Sequence, residues 1–268
     1  MYRFSFLVVF LMVVFSKAAN AQINPGADSV MLRKFDFEDK EMAEFFDRFN
    51  FKEPVQFADS LKPSRVKNIV SLFNLKDAKL YHAPETLTFL KFTSNDTNKI
   101  YLNYGDKNWF AFAHCSFLYH NKTVTTDIIL KPEGDSAHGY QWLIADVKSN
   151  LLAVPVKGKT PSFINPMNHE IGFTELSKAL NNKGGIFGYT PLSYHPDPLS
   201  AFLFMLKNGD LKFIQINSVD FQFLQVPGWI FSVKNFNRSE YNSGWLIYSL
   251  SRMDETEKIN YIKNHFIN

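Results

Sequence analysis

The chain has 268 residues, with 29 lysines and arginines against 26 aspartates and glutamates, for a net charge of +3 at pH 7. Hydrophobic residues make up 46%, including 28 phenylalanines, enough to fill the core of one large or two small domains; Cys115 is the only cysteine. These numbers exclude an intramolecular disulfide, and the lack of any block of like charge removes the electrostatic footprint of a nucleic-acid binder or a polybasic membrane patch.

The first residues read MYRFSFLVVFLMVVFSKAANAQ. One cation, Arg3, precedes an apolar run from Phe4 to Phe15 that only Ser5 interrupts, and the stretch ends in Ala19-Asn20-Ala21. This is the pattern of a secretory signal peptide over residues 1–21, cleaved after Ala21. The apolar run falls short of a membrane span, and no cysteine follows the cleavage site to carry a lipid. Loss of Arg3 and Lys17 with the signal leaves a mature chain close to neutrality. Residues 22–34 read as a flexible lead.

A first helix is expected in DFEDKEMAEFFDRFN, where Met42, Phe45, Phe46 and Phe49 share one face. A second lies in PSRVKNIVSLFN, with Val66, Ile69, Val70 and Phe73 at the same offsets, and a third starts at Pro84. From Lys99 the pattern changes to strands: KIYLNY, NWFAFAHCSFLYH, KTVTTDIILK and YQWLIADV. Residues 155–166, rich in Pro, Gly and Lys, read as a linker. Helices then restart in HEIGFTELSKALNNKGG, where Phe173, Leu176 and Leu180 share a face, and in HPDPLSAFLFMLKNG. The latter has Asp197 as N-cap and Gly209 as C-cap. The strands LKFIQI, VDFQFLQV, GWIFSVKNF and SGWLIYSL follow, and a final helix opens on the capping-box pair Asp254/Glu257.

Each half thus places helices before a strand meander. ETLTFL answers DPLSAFL, KIYL answers LKFIQI, and QWLIADV answers GWLIYSL, in the same order. This self-similarity points to duplication of one unit, with both Trp-Leu-Ile triplets buried in cores. The expected fold class is α+β, with two tandem helices-then-antiparallel-sheet units at 35–154 and 167–268. Both faces of WFAFAHCSFLYH are largely apolar, so helices should cover one face and the second unit the other.

The segment from Phe35 to Val147, helices followed by a sheet closing on YQWLIADV, resembles the nuclear-transport-factor-two-like group of cone-shaped domains, in which W-x-I-x-x-V closing strands are common. The whole chain also resembles exported proteins of Bacteroidota, whose members often carry Asp-Ser/Thr-aliphatic or small glycosylation motifs; DSV (28–30), DSL (59–61) and DSA (135–137) fit. These resemblances imply a fold and a compartment, and no particular reaction.

No H-E-x-x-H, cysteine pair, phosphate loop or G-x-S-x-G motif is present. Alternation along its strand puts His114, Ser116 and His120 on one face, with Asp127 and Asp146 on neighbouring strands. Enzymes of the cone-shaped family hold an acid/base His or Asp in the concave pocket, so the resemblance makes His114 with Asp127 or Asp146 the candidate catalytic pair. Cys115 beside it reads as a packed, inert thiol. The candidate metal ligands are His169, Glu170, His195 and Asp197, although helix capping accounts for Asp197 and Asn168 without a metal. Trp109, Tyr140 and Trp142 are the candidates for an aromatic ligand cleft, against a plain core role.

The sequence therefore leads to an exported protein of the bacterial periplasm or cell surface. Its expected role is non-catalytic binding or assembly, with an envelope protein or small ligand as partner, or a second copy of the chain in a homodimer through an apolar sheet face. Neither a cofactor nor nucleic acid is expected, and after signal cleavage the chain is not an integral membrane protein. The alternative is a small-molecule enzyme using the His114/Asp pair.

Overall fold

The computed structural model describes residues 42–53, 64–95, 97–135, 139–152, 177, 179–181, 189–191, 194, 196, 197–239 without 240–241, and 242–266, excepting the side chains of 135, 265 and 266. All of them belong to one unit, residues 41–268. The helices are α1 (42–49), α2 (Arg65–Ser71), α3 (Ala78–Tyr81), α4 (Pro84–Thr93), a helical stretch at 177 and 179–181 (α5), α6 (Pro198–Asn208) and α7 (Glu255–Phe266). No helix among the described residues is long and apolar enough to cross a membrane.

The strands are β1 (Trp109–Tyr119), β2 (Lys122–Asp135), β3 (Gly139–Lys148), β4 (Leu211–Phe223), β5 (Trp229–Phe236) and β6 (Gly244–Arg252). They form one open antiparallel sheet in the order β3-β2-β1-β4-β5-β6. Two three-stranded meanders thus meet edge to edge through their first strands, so the protein is mixed α+β. The second meander does not cover the face of the first, as the apolar faces of β1 led us to expect; it widens the same sheet.

Period-two alternation sorts β1 into two sides. Trp109, Ala111, Ala113, Cys115 and Phe117 are buried beneath helices. Met42, Phe45, Phe46 and Phe49 of α1 are all buried there, as their spacing requires, beside Ile69, Phe73 and Phe89. Phe202 of α6 caps the other end of that side, against Phe117 and Cys115. Cys115 is a free thiol whose pKa is pushed up to about 11 by burial and by the nearby Asp127 charge, so it is inert at neutral pH. The opposite side buries Phe110, Ile129, Leu224 and Ile230 under Tyr261 and Ile262 of α7. Beyond the reach of α7, that side is polar.

Several expectations about elements are corrected. KIYLNY forms no strand: residues 99–104 are irregular. Side chains take its backbone groups instead. Asn50 brackets Leu102, donating to its carbonyl at 2.8 Å and accepting from its N–H at 2.8 Å. Gln225 does the same for Asn103, at 3.0 and 2.8 Å. LKFIQI and VDFQFLQV are one strand, β4, carried through by two register shifts against β1. In α2 the buried residues are Arg65, Asn68 and Ile69, while Val66 is 44% exposed, because the polar pair turns inward to hold loop carbonyls. Leu180 is exposed, and Phe173 and Leu176 lie outside the described residues, as does the 155–166 linker.

The two Trp-Leu-Ile triplets also part company. Trp245, Leu246 and Ile247 of β6 are buried, whereas Leu143 and Ile144 of β3 are 42% and 43% exposed. The difference has a local cause. Residues 72–74 lie along the outer edge of β6, exchanging hydrogen bonds with Ile247 at 2.7 and 2.9 Å.

The helix ends behave as read. Asp197 accepts from the N–H groups of Leu199 and Ser200, and Gly209 closes α6 at φ +78. Asp254 and Glu257 form a reciprocal capping box at the start of α7, each bond 2.8 Å.

Candidate functional site

The polar side of the sheet carries one continuous row of interacting side chains. Register places His114 opposite Asp127 on β2, and the imidazole Nδ1 lies 2.7 Å from Asp127 Oδ1. On its other flank, His114 Nε2 is 3.9 Å from Asp220 Oδ2 on β4. Asp220 in turn accepts a 2.8 Å hydrogen bond from the Tyr248 hydroxyl of β6. Lys234 of β5 stands 4.6 Å from the centre of the Tyr248 ring. The row runs Asp127, His114, Asp220, Tyr248 across strands of both meanders.

Register irregularities lie beside two residues of this side. On β6, Ser249 pairs with Ser232 and Ile247 with Val233, so Tyr248 is the extra residue between them. Its ring lies on the side of β6 opposite the buried Trp245 and Ile247, next to Lys234 of β5 and towards Asp220. On β4, Asn217 is the extra residue between Ser218 and Ile216. Its side chain exchanges hydrogen bonds with Ser116 at 2.9 and 3.2 Å. Bulges bend a strand and re-aim side chains, and they are common beside functional sites. At the α7 end, Tyr261 donates to Gln222 at 3.0 Å and closes the row.

The side chains of His114, Asp127 and Asp220 are 36%, 42% and 23% exposed. The row is thus an accessible surface and not a sealed cavity. With Asp127 accepting from Nδ1–H, the imidazole presents Nε2 towards Asp220. Burial, joined by the Asp220 hydrogen bond and charge, pushes the Tyr248 hydroxyl from 10.0 up to about 12, against a smaller opposing bond from Ser232. The sign follows directly. The raised folded-state value favours the protonated phenol, a contribution present below pH 10 and lost as pH rises through about 12. Native protein should therefore lose stability relative to Tyr248→Phe over that interval, read from urea midpoints at stepped pH. An unchanged difference would remove Tyr248 from the row.

The other sequence candidates fall elsewhere. Asp146 lies on β3 opposite Ile129, where Oδ1 accepts from the Val147 N–H at 2.7 Å; it is not in the row. It lines an open groove of about 490 Å³ beside the first part of β2 and the end of β3, which Asp127 also lines. Trp109 is fully buried, its Nε1 donating to the Tyr104 carbonyl at 3.1 Å. Trp142 packs edge-on to Trp109 with centroids 4.7 Å apart. Tyr140 is exposed, with its ring against Gly105, where an added Cβ would lie 2.1 Å from the phenol oxygen. Among the proposed metal ligands, Asp197 is engaged as the N-cap of α6, and His169, Glu170 and His195 lie outside the described residues. Among the described residues no three His, Cys, Asp or Glu side chains are placed to share a metal ion.

Sequence reasoning missed Asp220, Tyr248, Asn217 and Lys234. The alternation V-D-F-Q-F at 219–223 signals a polar face on β4 and could have found Asp220 and Gln222. Alternation from Trp245 and Ile247 turns Tyr248 to the other side of β6, but nothing in the sequence marks the sheet order that brings it to Asp220. No protein-family model matches this chain, and neither a curated protein nor a solved structure matches it.

Proposed function

We propose that this chain is an exported binding protein of the bacterial periplasm or cell surface, engaging its ligand through the polar side of the sheet. The observation that carries the reading is the row Asp127–His114–Asp220–Tyr248: four titratable side chains from both meanders, ordered by mutual contacts and left open to solvent. The ordered, half-exposed array is pre-organised for contact with another molecule.

The strand pairing and helix packing also support duplication of an ancestral helix-meander unit. Each meander follows a helix that opens on proline, α4 and α6. The first strands β1 and β4 pair antiparallel, while α4 packs on β6 and α6 on β3. Two-fold-related halves would exchange helices in this way. The nuclear-transport-factor-two-like reading of the first half has the same support in its helices-then-sheet order.

The test is a two-dimensional NMR titration of the purified chain with size-separated fractions of a bacterial envelope extract. Shifts should gather at residues 114, 127, 220 and 248, and disappear in the His114→Ala/Tyr248→Phe double variant. Binding that the double variant retains in full would sink the proposal. The 2.7 Å His114–Asp127 contact favours a second reading, acid–base catalysis at Nε2. Turnover of an identified ligand, abolished in His114→Gln with binding kept, would establish it.

A further inference from the structure

The groove beside the row has a chemistry of its own. It lies beside the first part of β2 and the end of β3, between the start of α6 and the last turns of α7, and its volume of about 490 Å³ is within the usual range for small-molecule sites. We infer that it is a subsite for a neutral polyhydroxyl ligand, a saccharide of one or two rings. This inference rests on the reading of the chain as a binding protein.

The lining decides the ligand class. Thr125, Asn150 and Asn264 offer hydroxyl and amide groups that both donate and accept, as sugar hydroxyls do, while Ser149, which accepts from Thr126 and from the Leu151 N–H, keeps its proton to donate. Asp127 and Asp146 add two carboxylates, which accept only. Two carboxylates repel an anion, and Lys148, the one cation among the described lining residues, already has a partner. An amine ligand would want carboxylates without partners. Here Asp127 holds the His114 imidazole at 2.7 Å and Asp146 holds the Val147 N–H at 2.7 Å. Each keeps its second oxygen, suited to a hydroxyl donor. Leu152 and Pro198, both partly exposed, give a small apolar patch of the kind that meets the C–H face of a pyranose.

Asp127 belongs to both the groove and the row, so occupancy of the groove should reach His114. Isothermal titration and two-dimensional NMR on the purified chain test this with glucose, galactose, N-acetylglucosamine and maltose as neutral probes. Putrescine serves as the cationic probe and inorganic phosphate as the anionic one. At least one neutral sugar should shift the amides of residues 125–127 and 146–150. Asp146→Asn, which can still accept from Val147, should weaken it roughly tenfold, the loss of one charge-assisted hydrogen bond. Thr125→Ala, on the exposed lining, gives a second and milder variant should Asp146→Asn fold poorly. Putrescine or phosphate binding at these residues in place of sugars would overturn the inference, as would sugars leaving them silent. Sugar or envelope-extract shifts confined to residues 114, 220 and 248 would overturn the groove assignment alone. Silence of both regions towards every probe and every extract fraction would overturn the binding reading as well.

Discussion

Trp109→Ala should lower the unfolding free energy by about 3–5 kcal/mol, the range for deleting a large aromatic from a packed core. The indole is fully buried, and its neighbours come from four parts of the chain. Phe46 of α1 and Tyr104 each lie 5.1 Å away between centroids, Trp142 of β3 4.7 Å, and Phe223 of β4 is stacked at 5.4 Å. The cavity would open where the two meanders and α1 meet, so no single element can relax into it. Trp109→Phe keeps most of the ring volume but leaves the Tyr104 carbonyl without its donor, and should cost about 1–3 kcal/mol. Trp245 is the control: it is buried too, but its Nε1 has no hydrogen-bond partner among the described residues. Trp245→Phe should therefore cost less than Trp109→Phe. Urea midpoints with unchanged slopes measure all three. A Trp109→Ala protein as stable as the native chain would return this residue to the ligand surface where the sequence allowed it.

What could be read from the sequence was local and periodic. The buried face of α1 follows from Met42, Phe45, Phe46 and Phe49 alone, and the caps of α6 and α7 from Asp197, Gly209, Asp254 and Glu257. The helix-then-meander order of each half was legible too. Sheet assembly was not, because edge-to-edge joining of β1 with β4 is a pairing choice that leaves the alternation of each strand unchanged. The irregular path of residues 99–104 was hidden for a different reason. Asn50 and Gln225 reach it from 52 and 122 residues away and supply the hydrogen bonds a neighbouring strand would have supplied. Strand propensity says nothing about which partner wins.

The site was half legible on the same grounds. His114 and Asp127 sit on a hairpin with a two-residue turn at His120 and Asn121, both at positive φ, so their register follows from the turn. Asp220 and Tyr248 come from strands whose positions relative to β1 depend on the sheet order and on the register shift between β5 and β6. Alternation gives each residue its face, but the order of strands in the sheet leaves no mark on the sequence of any one of them. That is why the row looked like a lone His–Asp pair.

Arg65 carries the second large effect. Sequence periodicity puts Val66 on the buried face of α2, yet Arg65 is the residue that goes in. Its Nε donates to the Thr93 carbonyl at 3.1 Å, Nη1 to Asn50 at 3.4 Å, and Nη2 to Ile100. The guanidinium also lies 4.7 Å from the centre of the Tyr101 ring. One side chain thus ties α2 to the end of α1, the end of α4 and the irregular segment before β1. Burial pulls its pKa below the ordinary arginine value, with the nearby Tyr101 opposing, but a guanidinium stays protonated throughout the physiological range. Arg65→Met keeps most of the packing and removes every donor. Three carbonyls then compete for water in a half-closed site, and the loss should be about 3 kcal/mol, since bonds from charged donors contribute more than neutral ones. Arg65→Lys restores the charge but not the planar fork, and a single ammonium cannot meet carbonyls converging from three directions, so it should recover less than half. Urea unfolding gives the magnitudes, and hydrogen exchange adds a local readout. Amides of residues 100–103 should exchange faster in Arg65→Met, even at denaturant concentrations where the sheet remains protected. Equal protection in the variant would mean that Asn50 and Gln225 hold the segment by themselves.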